Sequence, residues 1–293
     1  IGIPSRMTSQ MKSVRVLQKM KCYFCEGSLS TAFSYHEPPY GETHFSFSDE
    51  NYSREIVKCD RCGHFMSIHE MDDSALYEQD YVSATYGGDR FLKIFEKIIA
   101  LDESESDNVG RCKRLIEFAE KQKVYNQGKS KSPTILDVGS GLCVFLYEMR
   151  KRGWTGTALD PDPRAIAHAQ DIVNVDAVCG DFFECDNIGM FDVVTFNKVL
   201  EHVRDPIAML SKSKDYLAEG GFVYIELPDG EAAATEGAGR EEFFVEHHHI
   251  FSPASIALLA MLSGLSVASI ERLQEPSNKY TLRAFLVPQT PSP

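Results

Sequence analysis

Ile135-Leu136-Asp137-Val138-Gly139-Ser140-Gly141-Leu142-Cys143-Val144-Phe145 decides how the rest of the chain reads. A β-prone apolar run meets an acid, then two glycines one residue apart, then a segment of helical character reaching Arg150. The pattern predicts a strand, a tight turn and a helix, the opening unit of a nucleotide-binding α/β sheet. Gly139 and Gly141 permit the sharp turn and let a ligand lie on the backbone with no Cβ in the way. Such a turn is common by itself, so the spacing of the later strand-end motifs carries the weight.

Downstream the alternation is regular. Strands are expected over 134–138, 155–159, 173–178, 192–196 and 222–227, and helices over 142–151, 163–172 and 206–217. Strand–helix alternation means a parallel sheet covered on both faces. Residues 228–249 read as an irregular insertion rich in Gly, Ala and Glu, before a helix over 253–262 and two closing strands, 265–273 and 280–288. Upstream, Phe91, Ile94, Phe95 and Ile98 mark an amphipathic helix, a second runs over 109–123, and 127–133 is a polar linker.

The strand ends carry polar residues at telling places. Asp160 ends the second strand, where a carboxylate accepts the ribose hydroxyls of an adenosine. Asp181, in Gly180-Asp181-Phe182-Phe183 after the third strand, can accept from the exocyclic amine of adenine, with Phe182 beside it. Asn197 ends the fourth strand at the crevice. Dehydrogenases share the ribose acid, so these residues point to an adenosine ligand before they point to a reaction.

Net charge is -13 with 43% apolar and 25% charged residues, an ordinary globular composition whose sign disfavours nucleic acid as the main partner. No apolar run is long enough to span a membrane and no signal-peptide pattern is evident, so the expected location is the cytoplasm. Of eight cysteines, Cys22 and Cys25 form one C-x-x-C pair and Cys59 and Cys62 another. Two such knuckles suit a closed tetrahedral Zn2+ site, structural and not catalytic, better than a disulfide framework. Short ribbon strands are expected at His44-Phe45-Ser46-Phe47-Ser48 and Glu55-Ile56-Val57-Lys58, whereas Glu37-Pro38-Pro39-Tyr40 reads as a proline-stiffened turn.

Taken in order, these motifs resemble the class I S-adenosylmethionine (AdoMet)-dependent methyltransferases over roughly residues 134–288. The resemblance implies an α/β fold: a seven-stranded Rossmann-like sheet, mostly parallel, with the last strand antiparallel. Asp137, Gly139 and Gly141 would surround the methionyl part, Asp160 the ribose, Asp181 and Phe182 the adenine, and Asn197 the sulfonium. Cys143 stands where the family has a third glycine.

A closer resemblance uses Val199-Leu200-Glu201-His202 and Phe244-Val245-Glu246-His247-His248-His249-Ile250-Phe251-Ser252-Pro253 together with the cysteine pairs. The chain is similar to zinc-ribbon-bearing sugar methyltransferases of antibiotic and surface-polysaccharide pathways. That implies a ribbon over 7–70, a helical lead over 71–133 and a catalytic domain over 134–293 with its substrate insertion at 228–250. Members that methylate carbon carry Tyr-x-Glu-His; here Phe244 replaces the tyrosine, so the phenol that polarises a ketone is absent. The expected acceptor is a nucleotide-linked sugar, with His247 as general base oriented by Glu246, His202 second, and Tyr86 shaping the pocket. Rival readings are an O-methyltransferase of another small metabolite, an RNA-modifying enzyme, a non-catalytic adapter and a dehydrogenase.

Overall fold

The computed structural model describes residues 20–43, 52–71, 90–122 and 132–289. Its larger sheet grows from the glycine turn. Strands β4 (Thr134–Val138), β5 (Thr155–Asp160), β6 (Asp176–Cys179), β7 (Phe191–Asn197) and β8 (Leu217–Pro228) run parallel. The closing pair, β10 (Leu265–Gln274) and β11 (Tyr280–Pro288), completes the order β10-β11-β8-β7-β4-β5-β6, with β11 antiparallel to both its neighbours. This seven-stranded sheet is the Rossmann-like methyltransferase arrangement expected from the sequence.

Helices cover both faces. On one, α1 (Arg90–Ile99), α2 (Asp107–Gln122) and α3 (Val144–Lys151) pack Phe95, Leu115 and Phe145 against Phe222, Tyr224 and Phe285. The opposite face carries α5 (Pro206–Lys212) and α7 (Pro253–Leu262), with Leu210 and Ile256 on Val223 and Ile225. Successive residues of β8 thus enter different cores, as a strand buried on both faces requires. Helix α4 (Pro163–His168) ends in a widened π-turn, Ala169–Val173, so the third strand begins later than the apolar run at 173 suggests. The N-termini are set by side-chain caps ahead of proline: Asp162, Asp205 and Ser252 each accept from the first-turn amides and precede Pro163, Pro206 and Pro253.

The smaller sheet holds the cysteine pairs. Strands β1 (Leu29–Tyr35), β2 (Arg54–Cys59) and β3 (Phe65–His69) form an antiparallel ribbon. Residues 44–48, expected as a strand, lie outside the described residues, and β1 forms in a stretch that carried no strand expectation. Pro39 makes the anticipated turn, its carbonyl accepting from the Glu42 amide, and leaves Tyr40 exposed.

The ribbon acquires a fourth strand from far along the chain: β9 (His249–Ile250) pairs with β3 through Phe65↔Ile250 and Met66↔His249. The insertion is therefore ordered where irregular chain was expected. It contains α6 (Gly230–Ala234), capped by Asp229, and a 3-10 turn at Glu241–Phe243 before β9. Gly230 has to be glycine, because a Cβ there would stand 2.6 Å from the Phe65 ring of the ribbon.

Charge is buried directly behind the end of β7. Arg283 on β11 faces Glu226 on β8, and Glu226 also receives Arg111 from α2 (2.5 Å) and the Tyr224 hydroxyl (2.5 Å). Although burial opposes ionisation, Arg111 and Arg283 hold the Glu226 carboxyl well below the ordinary range. Arg283 also pairs with buried Glu275 at 2.8 Å. Arg283→Met keeps the volume but leaves two carboxylates facing one another, so a loss of about 3–5 kcal/mol in unfolding free energy is expected in denaturant melts. An unchanged midpoint would show that the network contributes nothing.

Candidate functional site

A cavity of about 740 Å³ opens at the carboxyl ends of β4, β5 and β7, the crevice where open α/β sheets bind ligands. The glycine elbow forms one rim. Gly139 and Gly141 have φ of 69° and 49°, and a Cβ on Gly141 would meet nothing within 4 Å, which leaves its backbone open to the cavity. Gly139 is confined instead: a Cβ would approach Val199 to 2.7 Å. Cys143, in place of the third glycine, also takes a left-handed conformation (φ 57°), buried at the start of α3. The site thus keeps a glycine-type backbone there without the glycine.

Asp160 holds the elbow from below. Its Oδ2 accepts from the Gly141 amide (2.9 Å) and its Oδ1 from the Asp162 amide (2.9 Å), and burial raises its pKa. Asp181 and Phe182 line the same cavity, the Phe182 ring packed among Phe196 and Tyr216. Asn197 lines it from the end of β7.

Asp137 takes a different place from the one expected. Its carboxylate is not part of the cavity lining; Oδ1 accepts from Thr195 Oγ1 (2.6 Å) and Asn197 Nδ2 (2.8 Å) beneath it. The acid orients Asn197, whose buried Oδ1 has no hydrogen-bond partner among the described residues. An orphaned acceptor on a residue that shares its cavity with an open glycine backbone fits an ammonium-bearing ligand such as the methionyl end of AdoMet, so the residues present suit that cofactor.

The insertion and the turn just past β7 together supply the opposite wall. His202, His247, His248, Glu201, Glu246 and Phe244 all line the cavity. The His202 and His247 rings meet edge to face at 4.9 Å. It is the main-chain carbonyl of Glu242 that holds Nδ1 of His247 (2.8 Å), not the Glu246 carboxylate as expected, and the carbonyl of Glu246 that meets Nδ1 of His202 (3.0 Å). Burial drives the His202 pKa down to about 4 and His247 well below its ordinary range, while it pushes Glu201 and Glu246 up to about 7. Both imidazoles are therefore neutral at neutral pH, each with one ring nitrogen carrying a lone pair. Tyr86 lies outside the described residues.

Sequence reasoning passed over several wall residues. Lys198, left-handed at φ 61° just past β7, and Lys279 and Tyr280 from the closing hairpin line the cavity too. Only the turn signal at Asn278, also at positive φ, hinted that the hairpin tip comes back to the site.

The cysteine pairs converge as their spacing predicts. Cys22 and Cys62 sulfurs lie 3.5 Å apart, Cys25 and Cys59 3.4 Å, and all four lie within 4.8 Å of one another. A tetrahedral zinc–thiolate shell has sulfurs roughly 3.8 Å apart, so the four could hold Zn2+. Gly27 leaves room for the sulfurs, since a Cβ there would stand 2.8 Å from that of Cys59.

Burial raises the Asp137 carboxyl from 3.8 to about 6. A raised carboxyl stabilises the fold below its unfolded pKa and loses that contribution as pH climbs through its folded one. Asp137→Asn keeps an oxygen for both donors and removes the buried charge. It is expected to raise the melting temperature at about pH 7.5, by at most about 3 kcal/mol of stability, with the gain vanishing near about pH 4. A lower melting temperature at the higher pH would contradict this electrostatic account.

A family described as a methyltransferase domain matches residues 105–270. The ubiquinone biosynthesis O-methyltransferase of Vibrio parahaemolyticus is 33% identical over 98 residues, 31% of this chain and 41% of that protein. That of Psychrobacter cryohalolentis is 32% identical over 118 residues, 37% and 46% of the two chains. The chain spans less than half the length of these curated relatives. Among solved structures, Burkholderia thailandensis 1,6-didemethyltoxoflavin-N1-methyltransferase with S-adenosylhomocysteine superposes with a TM-score of 0.54 at 17% identity, covering 87% of this chain and all of that one. Magnesium protoporphyrin IX methyltransferase from Synechocystis, also with S-adenosylhomocysteine, gives 0.54 at 13% identity over 74% of this chain and all of its own. At such identities the likeness is one of fold. The family match covers more than half of the chain and agrees with the elbow, the strand-end acids and the sheet order: this chain belongs to the methyltransferase domain family of AdoMet-dependent enzymes.

Proposed function

We propose that the chain transfers a methyl group from AdoMet to a small acceptor, a nucleotide-linked sugar, with a histidine taking the acceptor's proton. The observation that carries this reading is the meeting, in one cavity, of the glycine elbow with the His202–His247 pair. AdoMet, when bound, supplies a methyl on a sulfonium that an acceptor lone pair displaces in line. The protein's share is to hold the acceptor and remove a proton, and positioning supplies most of the help.

In this reading Gly141 and Asp160 hold the nucleoside beside the elbow, Asp181 and Phe182 frame the adenine, and Asn197 Oδ1 takes the methionyl ammonium. His247 receives the proton on Nε2, because the Glu242 carbonyl accepts a hydrogen bond from Nδ1 and so fixes the proton there. His202 stands beside it as the second imidazole, and the Glu246 carboxyl shares the wall. Lys198 and Lys279 give that wall positive charge suited to a diphosphate. Four thiolates at Cys22, Cys25, Cys59 and Cys62 holding a structural Zn2+ complete the proposal, with 7–70 as the ribbon, 71–133 as the lead and 134–293 as the catalytic domain. A second reading, an O-methyltransferase of another small metabolite, draws on Phe244, which offers no phenol to polarise a ketone, and on the O-methyltransferases among the relatives.

S-adenosylhomocysteine should bind in calorimetry, and Asp160→Ala should weaken it. Methyl transfer from labelled AdoMet, scored across nucleotide sugars and phenolic or alcoholic metabolites, separates the two acceptors. His247→Gln should lower turnover by about a hundred- to ten-thousandfold at unchanged S-adenosylhomocysteine affinity. Wild-type turnover in that variant would remove the base from the mechanism.

A further inference from the structure

Glu201, His202 and His247 each bring one ligand-type atom to a common corner of the acceptor wall, the three lying within 4.8 Å of one another. The surrounding main chain fixes how the rings present themselves. Carbonyls of Glu246 and Glu242 meet Nδ1 of His202 and His247, and a carbonyl can only accept. Nδ1 therefore carries the proton in each neutral ring, and Nε2 the lone pair. An oxygen acceptor behind the ring is how metal-binding imidazoles are oriented.

Glu201 adds an independent observation. It is 1% exposed and lines the cavity, yet its Oε2 has no hydrogen-bond partner among the described residues. A buried carboxylate oxygen without a donor is costly, and a cation would satisfy it. Its main chain is fixed, because its own carbonyl accepts from the amides of both His248 (2.8 Å) and His249 (3.2 Å). Lys198 and Lys279 favour the charged form of Glu201 through space, but neither donates to its Oε2: Lys198 donates to Thr281 Oγ1 at 2.6 Å and Lys279 pairs with Glu241 at 3.3 Å.

We propose that Glu201, His202 and His247 form a second metal site, for a divalent cation of the zinc and cobalt class, open toward the acceptor and separate from the cysteine cluster. Two imidazoles and one carboxylate form a ligand set that keeps coordination positions open, and imidazole favours these ions over magnesium or calcium. The inference rests on the proposed function in one respect: the lone pair that His247 would offer to the acceptor's proton is the pair that the cation takes. Occupancy therefore removes the base and stops transfer.

The test is a Co2+ titration of the whole protein, with the cysteine site already loaded with zinc, followed by visible absorption and calorimetry. One equivalent should bind with the weak bands of nitrogen and oxygen ligation and without thiolate charge transfer. Glu201→Gln and His247→Gln should each weaken it about tenfold or more, with S-adenosylhomocysteine affinity unchanged. No Co2+ uptake beyond the cysteine site in the wild type, or uptake equally tight in both variants, would overturn the site. Turnover of the cobalt-loaded protein separates this from the base: lost transfer supports both, whereas raised transfer keeps the site and removes the free imidazole base. Absent binding, with His247→Gln still inactive, removes the site and leaves the base.

Discussion

One short segment, residues 242–250, is clamped by main-chain hydrogen bonds from two sides, and the site depends on that clamp. From the core side, the carbonyl of Glu201, just past β7, accepts from the amides of His248 and His249. From the ribbon side, the Ser67 amide donates to the His248 carbonyl at 3.1 Å, and β3 pairs with β9. A buried Arg54–Glu42 pair extends the grip: Arg54 donates to the Phe243 carbonyl, and Glu42 accepts from the Val245 amide at 2.8 Å. His247 thus sits on chain that neither unit fixes alone, and His202, just past β7, is held to that chain by the Glu246 carbonyl.

The ribbon consequently helps to hold the histidine-bearing wall of the cavity. Its apolar core continues into that of the larger sheet: Cys22, Phe24, Cys59 and Cys62 cluster with Phe251 and Ile256. His64, next to the second knuckle, shares a 3.0 Å hydrogen bond with His249, and Ser252, the cap of α7, donates to the Cys62 carbonyl. Order among the cysteines therefore reaches the histidine-bearing wall through a few short contacts. On the cofactor side the clamp is matched by Asp160, which ties β5 to the elbow, and by Asp137, which trades a buried charge for a fixed Asn197.

Much of this was legible in the sequence, for a definable reason. Period-two and period-3.6 patterns, capping residues before prolines, and two C-x-x-C pairs are local signals, and most of the elements they mark form where expected, with 134–138, 253–262 and 280–288 matching to the residue and the third strand beginning three residues late. What could not be read is pairing between distant segments. The insertion reads as irregular because its two-residue strand has no partner nearby; that partner is 183 residues earlier, at Met66. Asp137 reads as a ligand contact because its side-chain direction depends on Thr195 and Asn197 across the sheet. Glu246 reads as the orienter of His247 because sequence shows side chains, whereas the acceptor used is the Glu242 carbonyl. Lys279 and Tyr280 reach the site only because β11 inserts beside β8.

Hydrogen exchange on the Cys59→Ser variant tests the clamp most directly. With the ribbon disrupted, the amides of residues 243–250 should lose protection together with those of β2 and β3, while the Gly139 and Cys143 amides, bonded within the core to the Leu159 and Ser140 carbonyls, keep theirs. Full protection at 243–250 in a variant whose ribbon exchanges freely would contradict the account, because the histidine-bearing wall would then stand on the core alone.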